Sequence, residues 1–353
     1  MRNRIALPLA LSLLFSLAAC GASPVSGAAS PAENASGSAA DGIAAAYLAK
    51  AEGVVVTEDA VLVADDGSGA EQTLRKNPGK VAVLYASLNC LWYEAGGEAA
   101  LTIGGADAVA LYKEQIGRDV TQDEGVKVAA SSALASKWDV ESILAERPDL
   151  IIASVGMKGY DTISGPAAAV GIPVIGIDYD GVADYLKWFK VFCNLNGRPE
   201  LWDEVARQTV QGIADVVSAV PREPEPPRAA ILLLSTDTLK AYGNGNVPGM
   251  ALRDLGGVNV FDPDPDSKSN LVEISLEDLY AFDPDVILFQ ERGEGAELAD
   301  LFAFFGDNPV WNELTAVRAG KVFPLSKGLF YNKANRRFKE AYEQMFSYLY
   351  PAG

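Results

Sequence analysis

Residues 138–153 read WDVESILAERPDLIIA, and residues 274–289 read ISLEDLYAFDPDVILF. In each copy an N-cap residue, Asp139 or Ser275, begins a short run with apolar residues at helical spacing. A Pro-Asp pair then ends the helix, and an apolar strand follows. The spacing from glutamate to proline is seven residues in both copies. The repeat predicts two α/β units of similar build, and strands that alternate with helices favour mostly parallel sheets.

The segments around the repeat extend this pattern. Apolar strands are predicted at residues 81–85 and 229–234, ahead of the two copies. Between the units, residues 182–220 carry apolar residues at helical spacing, interrupted at Gly197-Arg198-Pro199. The part after this interruption predicts a helix of ~22 residues, or ~33 Å in length. We therefore predict an α/β fold with two lobes, each with a mostly parallel central sheet, joined by a single long spanning helix.

The N-terminus has the pattern of an export signal. Arg2 and Arg4 precede an apolar stretch at residues 5–17, which is shorter than the ~20 residues that a membrane-spanning helix needs. Residues 17–20 read LAAC and resemble the bacterial lipobox, so we expect cleavage before Cys20 and a diacylglycerol on its thiol. The alternative is a plain signal peptide with a coincidental cysteine.

These patterns divide the chain into five parts. The small residues after Cys20 cannot bury a core, so they predict a flexible tether. The predicted parts are a lipoprotein signal peptide at 1–19, a tether at 20–45, an N-terminal α/β lobe at 46–180, a spanning helix with linker at 181–227, and a C-terminal α/β lobe at 228–353.

Composition excludes several classes of function. The formal net charge is −18, which disfavours nucleic acid because phosphate backbones would be repelled. The chain has no histidine, which rules out Ser-His-Asp and Cys-His catalysis and histidine-built metal sites. Two cysteines remain besides Cys20. Cys90 and Cys193 could form a disulfide outside the cytoplasm or stay as two buried thiols, and the sequence leaves both open.

Several motifs, taken in their order, resemble the periplasmic binding proteins that serve ABC importers of siderophores, haem and cobalamin. The resemblance covers residues 73–351. It rests on NPGKVAVL at 77–84, VESI at 140–143 with RPDLI at 147–151, GIPV at 171–174, LGGVNV at 255–260, the second repeat copy, NPVW at 308–311, AVRAGKV at 316–322, and the tail at 341–351. The family implies two lobes joined by a rigid helix, with ligand held in the cleft between them.

Open α/β sheets bind ligands beyond the carboxyl ends of their strands, so candidate ligand residues are those that follow predicted strands. Aromatic faces suit the organic shell of a chelate, and cations suit its anionic oxygens. We expect an anionic ferric chelate between Lys158, Arg292 and Lys327, stacked on Trp92 and Tyr242. The full candidate set is Tyr85, Ser87, Asn89, Trp92, Lys158, Tyr179, Lys240, Tyr242, Asn244, Arg292, Lys327 and Tyr331.

Glu141 and Glu277 occupy equivalent positions in the repeat. In the resembled family such glutamates, one per lobe, form salt bridges to arginines of the permease. A local interpretation stands beside this one, because a glutamate in the first turn of a helix also favours the helix dipole.

The sequence as a whole predicts a binding protein and not an enzyme. We expect an extracytoplasmic monomer, lipid-anchored to the cell membrane through Cys20, with an ABC permease and its ATPase as partners. It would need no cofactor and no direct metal ligand, and a ferric siderophore ranks first as its cargo. Haem or cobalamin, and a surface lipoprotein or enzyme without a transport role, are the alternatives.

Overall fold

The computed structural model describes residues 31–132, 138–222, 225–235, 238–293 and 296–351. The chain forms two α/β lobes, as the repeat predicts, and a helical layer connects them. A small antiparallel sheet precedes the first lobe. Its strands are β1 (Val55–Val56), β2 (Ala60–Val63) and β3 (Gln72–Arg75), in the order β1-β2-β3.

Lobe one is built on a five-stranded sheet in which every strand pair is parallel. The central strands are apolar along their whole length and buried on both faces, as is usual where helices cover both sides of a sheet. The strands are β4 (Val81–Val83), β5 (Leu101–Ile103), β6 (Lys127–Ala130), β7 (Leu150–Ser154) and β8 (Val174–Ile177), in the order β6-β5-β4-β7-β8. The helices are α2 (Ala86–Glu94), α3 (Ala106–Gln115), α4 (Val140–Ala145) and α5 (Lys158–Ala169).

The connection between the lobes consists of two helices. Helix α6 spans Val182–Leu195 and α7 spans Pro199–Ser218, with the break at the predicted Gly197-Arg198-Pro199 interruption. Pro199 suits the first position of α7, because that position needs no N–H donor. The spanning helix predicted after this interruption is α7, which has 20 residues, and the apolar segment before it forms α6.

Lobe two has a mixed sheet. Strand β9 pairs in parallel with two strands and antiparallel with β10, so this lobe departs from a purely parallel arrangement. The strands are β9 (Arg228–Ser235), β10 (Thr238–Tyr242), β11 (Val258–Asn259), β12 (Leu271–Glu273), β13 (Val286–Gln290) and β14 (Val322–Leu325), in the order β12-β10-β9-β13-β14 with β11 beside β9. The helices are α8 (Val247–Asp254), α9 (Leu276–Phe282), α10 (Leu298–Phe305), α11 (Pro309–Glu313), α12 (Thr315–Arg318) and α13 (Phe338–Leu349).

The two repeat copies fold alike. Asp139 accepts a hydrogen bond from the Ser142 N–H at the start of α4, and Ser275 accepts one from the Asp278 N–H at the start of α9. The residue before each proline adopts a left-handed conformation, with φ of 51° in one copy and 41° in the other. Each Pro-Asp carboxylate then accepts a backbone N–H from the start of the neighbouring central strand. These bonds are Lys80 N to Asp149 at 2.8 Å and Arg228 N to Asp285 at 3.1 Å.

The interior is continuous across the connection. One apolar cluster contains buried residues from both sheets, on the faces that pack against α6 and α7. A second cluster covers the other face of the lobe-one sheet, and a third covers the other face of the lobe-two sheet. Among the described residues, no helix combines the length and the apolar character needed to cross a membrane.

The C-terminal bound of the predicted tether is wrong, because helix α1 (Pro31–Glu52) begins before it. The predicted flexible segment ran to residue 45, but residues 31–45 belong to this helix, and Tyr47 and Ala51 are buried in the core. Alanine, the commonest residue of α1, is the best helix former, and contacts with α6 and α7 stabilise the helix. Cys20 and the rest of the predicted tether lie outside the described residues.

The two remaining cysteines are buried free thiols. Cys90 lies on α2 and Cys193 on α6, and burial raises the pKa of both thiols. Of the two possibilities that the sequence left open, the structure has the unpaired one.

Helix α1 is fastened to lobe two by one buried carboxylate. The Tyr47 hydroxyl donates to the Asp254 carboxylate, and the Tyr342 hydroxyl donates to the same oxygen at 2.8 Å. Replacing Tyr47 by Phe removes a hydrogen bond to a charged group, so we expect a loss of about 1.5 kcal/mol or more in the free energy of unfolding in urea. The matched control is Tyr280→Phe, since that ring is 51% exposed. Equal stability of the two variants would refute the role of this bond.

Candidate functional site

The candidate site lies between the lobes, at the carboxyl ends of the lobe-one strands β4, β7 and β8. A cavity of about 160 Å³ is found there. Residues that follow these strands line it, together with one residue from the C-terminal half of the chain. The residues used below are Tyr85, Ser154, Met157, Asp178, Tyr179 and Asp180 from lobe one and Lys333 from beyond β14.

Residues 327–337, here called the crossing segment, connect β14 to α13 and run against lobe one. The segment begins with a π-helical turn at Lys327–Tyr331 and ends with a 3-10 turn at Asn335–Arg337. Its contacts with lobe one are ion pairs and hydrogen bonds. They include Lys327 with Asp107 at 2.9 Å, Ser87 Oγ to Asn332 O at 2.6 Å, Gln115 Nε2 to Lys333 O at 3.1 Å, Asn335 Nδ2 to Gln115 Oε1 at 2.7 Å and Arg337 with Glu114 at 2.5 Å.

The lobe-two side of the cleft is aromatic and cationic. Burial and the neighbouring Tyr331 raise the pKa of Tyr242 to about 12, while Arg292 acts in the opposite direction. Tyr331 also raises the pKa of Tyr85 on lobe one, where burial is the larger cause. The electrostatic influence of Tyr331 therefore reaches a phenol of each lobe, and that of Arg292 reaches Tyr242. A phenol with a raised pKa stays protonated at neutral pH and can donate a hydrogen bond to a ligand.

Two buried polar atoms in lobe two have no hydrogen-bond partner within the described residues. They are Oε1 of Gln290, the last residue of β13, and Nε of Arg292, two residues later. The guanidinium is oriented by a bond of 2.7 Å from its Nη2 to the Leu234 carbonyl. Buried polar atoms usually have partners, so this unpaired donor and acceptor make the end of β13 an exception within the described residues.

The lobe-one wall of the cavity is acidic apart from Lys333. The Lys333 ammonium donates to the Tyr179 carbonyl and lies 3.9 Å from an oxygen of Asp180. Burial lowers the pKa of Lys333, while Asp180, Asp184 and Asp178 act against this shift. Burial raises the pKa of Asp180, and Lys333 opposes that change.

Three candidates from the sequence do not face the cleft. Trp92 is 1% exposed and packs edge-on against Phe192 in the core, so the predicted stacking on a ligand is wrong. Asn89 lies on α2, and its side chain is fully buried against Tyr112. Asn244 donates to the backbone carbonyls of Asp262 and Asp264 and holds a loop. All three follow strands in the sequence, but local side-chain direction turns them inward.

The meeting of the three predicted cations around one ligand stays a prediction. Lys327 is paired with Asp107 and joins the lobes, and Ser87 also serves this interlobe contact. Lys158 is exposed at the first position of α5. Lys240 is half-buried. It lies two residues before Tyr242 on β10, so the two side chains point to the same face of the sheet. Ligand contact by Lys158 and Lys240 stays a prediction.

The sequence predicted two residues of the crossing segment, Lys327 and Tyr331, but not the rest of it. Asn335 accepts a hydrogen bond from the Tyr179 hydroxyl at 3.0 Å, and Lys333 closes the cavity. Both residues have left-handed backbone conformations, with φ of 69° for Lys333 and 50° for Asn335. The only sequence signal was an Asn-Lys-Ala-Asn run after Tyr331, which is typical of any turn.

The predicted docking glutamates occupy matching places in the two lobes. Glu141 and Glu277 are exposed, each at the second position of its helix, α4 or α9. Their equivalence in the repeat is confirmed, whereas a contact with a permease stays a prediction. Within the described residues no cluster of three or more Cys, Asp or Glu side chains could hold a metal ion.

Comparison with known families decides the identity of the fold. The family model described as "Periplasmic binding protein" matches residues 109–328, which is more than half of the chain. The chain belongs to the periplasmic binding protein family. It is therefore an extracytoplasmic solute-binding protein of the ABC transporter type, and the family is one of binding proteins and not of enzymes. The comparison with curated proteins gives no match.

Solved structures share the fold of this solute-binding protein at low sequence identity. A periplasmic binding protein from Veillonella parvula has a TM-score of 0.65 at 17% identity, with 85% of this chain and 95% of that chain covered. A possible iron-binding periplasmic solute-binding protein from Staphylococcus epidermidis gives 0.63 at 17%, covering 78% and 100%. The vitamin B12 binding protein of Vibrio cholerae gives 0.58 at 19%, covering 77% and 96%.

A second cavity, of about 530 Å³, lies on the other side of the crossing segment and contains Glu94. The Glu94 carboxylate accepts from the Tyr185 hydroxyl at 2.8 Å and from Arg336 at 3.3 Å. Burial nonetheless raises its pKa above the ordinary 4.5. The folded protein therefore binds this proton more tightly than the unfolded chain does.

We expect the protein to lose stability as the pH rises from about 4.5 through the raised pKa of Glu94, because the folded state holds more protons in that window. Glu94→Gln should remove this part of the pH dependence and be more stable than the parent above the window, by about 1.4 kcal/mol per unit of pKa displacement. Urea unfolding from pH 4 to 8 measures the effect, with exposed Glu124→Gln as control. An unchanged slope in Glu94→Gln would contradict the assignment.

Proposed function

We propose that this solute-binding protein captures a metal chelate, with a ferric siderophore ranked first, and delivers it to an ABC permease. The observation that carries the proposal is the placement of Tyr85 after β4, Tyr242 at the end of β10, Arg292 after β13 and Tyr331 on the crossing segment that contacts lobe one. Similar proteins include a possible iron-binding protein and vitamin B12 and heme binding proteins, which supports the class of cargo.

The chemistry of the lobe-two wall fits the surface of such a chelate. Protonated phenols donate hydrogen bonds, and a guanidinium forms charge-assisted bonds with anionic oxygens. Tyrosine rings also contact the organic shell through their faces. Tyr331 is 43% exposed, so its hydroxyl is accessible to a ligand from the cleft.

Haem is the second candidate cargo, and one observation favours it. The chain has no histidine, but a tyrosine hydroxyl can serve as an axial ligand to haem iron. The accessible Tyr331 at the cleft could supply this ligand. In that case Tyr331→Phe should abolish the characteristic absorbance of bound haem. The same variant should weaken siderophore binding only modestly.

The cargo can be identified by titrating the protein with ferric siderophores, haem and cobalamin while its intrinsic fluorescence is recorded. We expect micromolar or tighter binding of at least one anionic ferric chelate. Arg292→Met should weaken that binding by roughly tenfold or more, since a hydrogen bond to a charged group contributes about 1.5–3 kcal/mol. The control is Lys321→Met, an exposed cation at the opposite edge of the same sheet. Binding of none of these compounds at micromolar concentration would exclude the proposed cargo.

Delivery requires docking to the permease, and we assign this to Glu141 and Glu277. Their exposed side chains occupy equivalent places in the two lobes, so one pair of contacts can orient the whole molecule. Anchoring through lipid on Cys20 belongs to the same proposal, because a tethered receptor has a raised effective concentration at its permease.

Reversing both charges in Glu141→Lys with Glu277→Lys should abolish uptake of the cargo, because like charges would then face the permease arginines. Ligand affinity and thermal stability should stay within the error of the parent protein. The matched control reverses two other exposed glutamates, Glu124 and Glu313, and should transport normally. Uptake at the parent rate by the first double variant would refute docking through this pair.

A further inference from the structure

The small interlobe cavity already contains a cation from the chain itself. The Lys333 ammonium donates to the carbonyl of Tyr179 and lies 5.2 Å from the centroid of the same residue's ring. Asp180 approaches it to 3.9 Å from another side. A carbonyl, an aromatic face and a carboxylate around one ammonium are the groups that recognise cations in proteins.

Negative charge in this wall exceeds what Lys333 neutralises. Asp178 and Asp180 both line the cavity and both influence the ammonium. The nearby Asp184 is taken by Lys50, at 2.5 Å, so it is largely compensated elsewhere. The Asp180 side chain is still 44% exposed, and at 3.9 Å its contact with Lys333 is longer than a hydrogen bond.

The backbone that presents Lys333 is strained. Its φ of 69° and that of Asn335 at 50° lie in the left-handed region, where residues other than glycine pay a conformational penalty. Contacts to lobe one hold this conformation, among them the bond from Gln115 to the Lys333 carbonyl. The lysine side chain therefore enters the cavity from a backbone that these contacts hold in place.

We propose that this cavity is a cation subsite for a primary ammonium group of the ligand, and that Lys333 occupies it when no ligand is bound. The subsite rests on the proposed function, because it forms the lobe-one half of the same cleft. Its wall carries Asp178 and Asp180, and Tyr85, which also lines it, is influenced by Tyr331 of the crossing segment. The ligand of this protein is then dipolar, with anionic oxygens toward Arg292 and Tyr242 and an ammonium toward Tyr179 and Asp180.

The geometry favours an ammonium over a metal ion. The described residues offer no group of three or more Cys, Asp or Glu side chains for a metal, whereas one carboxylate, one carbonyl and one ring suffice for an ammonium. The cavity of about 160 Å³ admits an alkylammonium head once the lysine side chain has left.

Chemical rescue tests the subsite directly. Lys333→Gly removes the ammonium and its stem, and glycine suits a φ of 69°, so the backbone should tolerate the change. n-Butylammonium chloride should raise the Tm of this variant in a saturable way, by about 2 °C at tenfold its dissociation constant. n-Butanol, and sodium chloride at the same ionic strength, should have no such effect. Lys333→Ala serves as a second cavity variant if the glycine variant does not fold.

Two controls separate charge from simple filling of space. Lys333→Met keeps the apolar stem in the cavity, so butylammonium should not stabilise it. Adding Asp180→Asn to Lys333→Gly removes the facing carboxylate and should abolish the rescue. Equal effects of butylammonium and butanol, or no effect of either, would overturn the subsite.

The two proposals fail in different ways. If butylammonium does not stabilise Lys333→Gly but the parent protein binds a chelate, the ammonium subsite alone is overturned. Rescue without binding of any chelate would retain the subsite and overturn the proposed cargo.

Discussion

The architecture depends on one hydrogen bond that occurs twice. In each lobe the carboxylate of a Pro-Asp pair accepts the backbone N–H at the start of the neighbouring central strand, from Lys80 to Asp149 and from Arg228 to Asp285. The proline ends the helix, and the aspartate sets the register of the next strand against the centre of the sheet. Because the strands then run in parallel from a common starting level, their carboxyl ends meet at one edge. The ligand cleft is built on that edge in both lobes.

The two walls of the cleft differ in charge although the lobes share a repeat. Lobe two contributes Arg292 with Tyr242, and lobe one contributes Asp178 and Asp180. The loops after the strands are outside the repeated segments, so they could diverge while the register bond stayed the same. A cleft of this kind orients a ligand by its charge distribution as well as by its shape.

The crossing segment joins the cleft to the contacts between the lobes. Residues 327–337 form ion pairs with Asp107 and Glu114 of α3 while Lys333 enters the lobe-one cavity. A ligand that displaces Lys333 also competes with the contacts that hold the lobes in this arrangement. Binding and interlobe geometry therefore involve the same few residues.

Much of the fold followed from local pattern. The N-caps Asp139 and Ser275, the strands after each Pro-Asp pair and the break before Pro199 are all found where the sequence predicted them. Helix α1 was missed, because its alanine- and glycine-rich sequence has weak amphipathic character and is stabilised by packing against α6 and α7. Trp92 was assigned to the cleft because it follows a strand, but α2 turns it into the core.

The sequence by itself determined the two repeated units, their order and the positions of their strand ends, since these depend on caps, prolines and apolar period. Only the tertiary structure decided which side chains meet. Tyr85, Tyr242 and Tyr331 are far apart in the chain, and Lys333 reaches lobe one through a left-handed turn that interlobe contacts hold. Such contacts arise from the packing of whole lobes, and the spacing of residues in the sequence does not predict them.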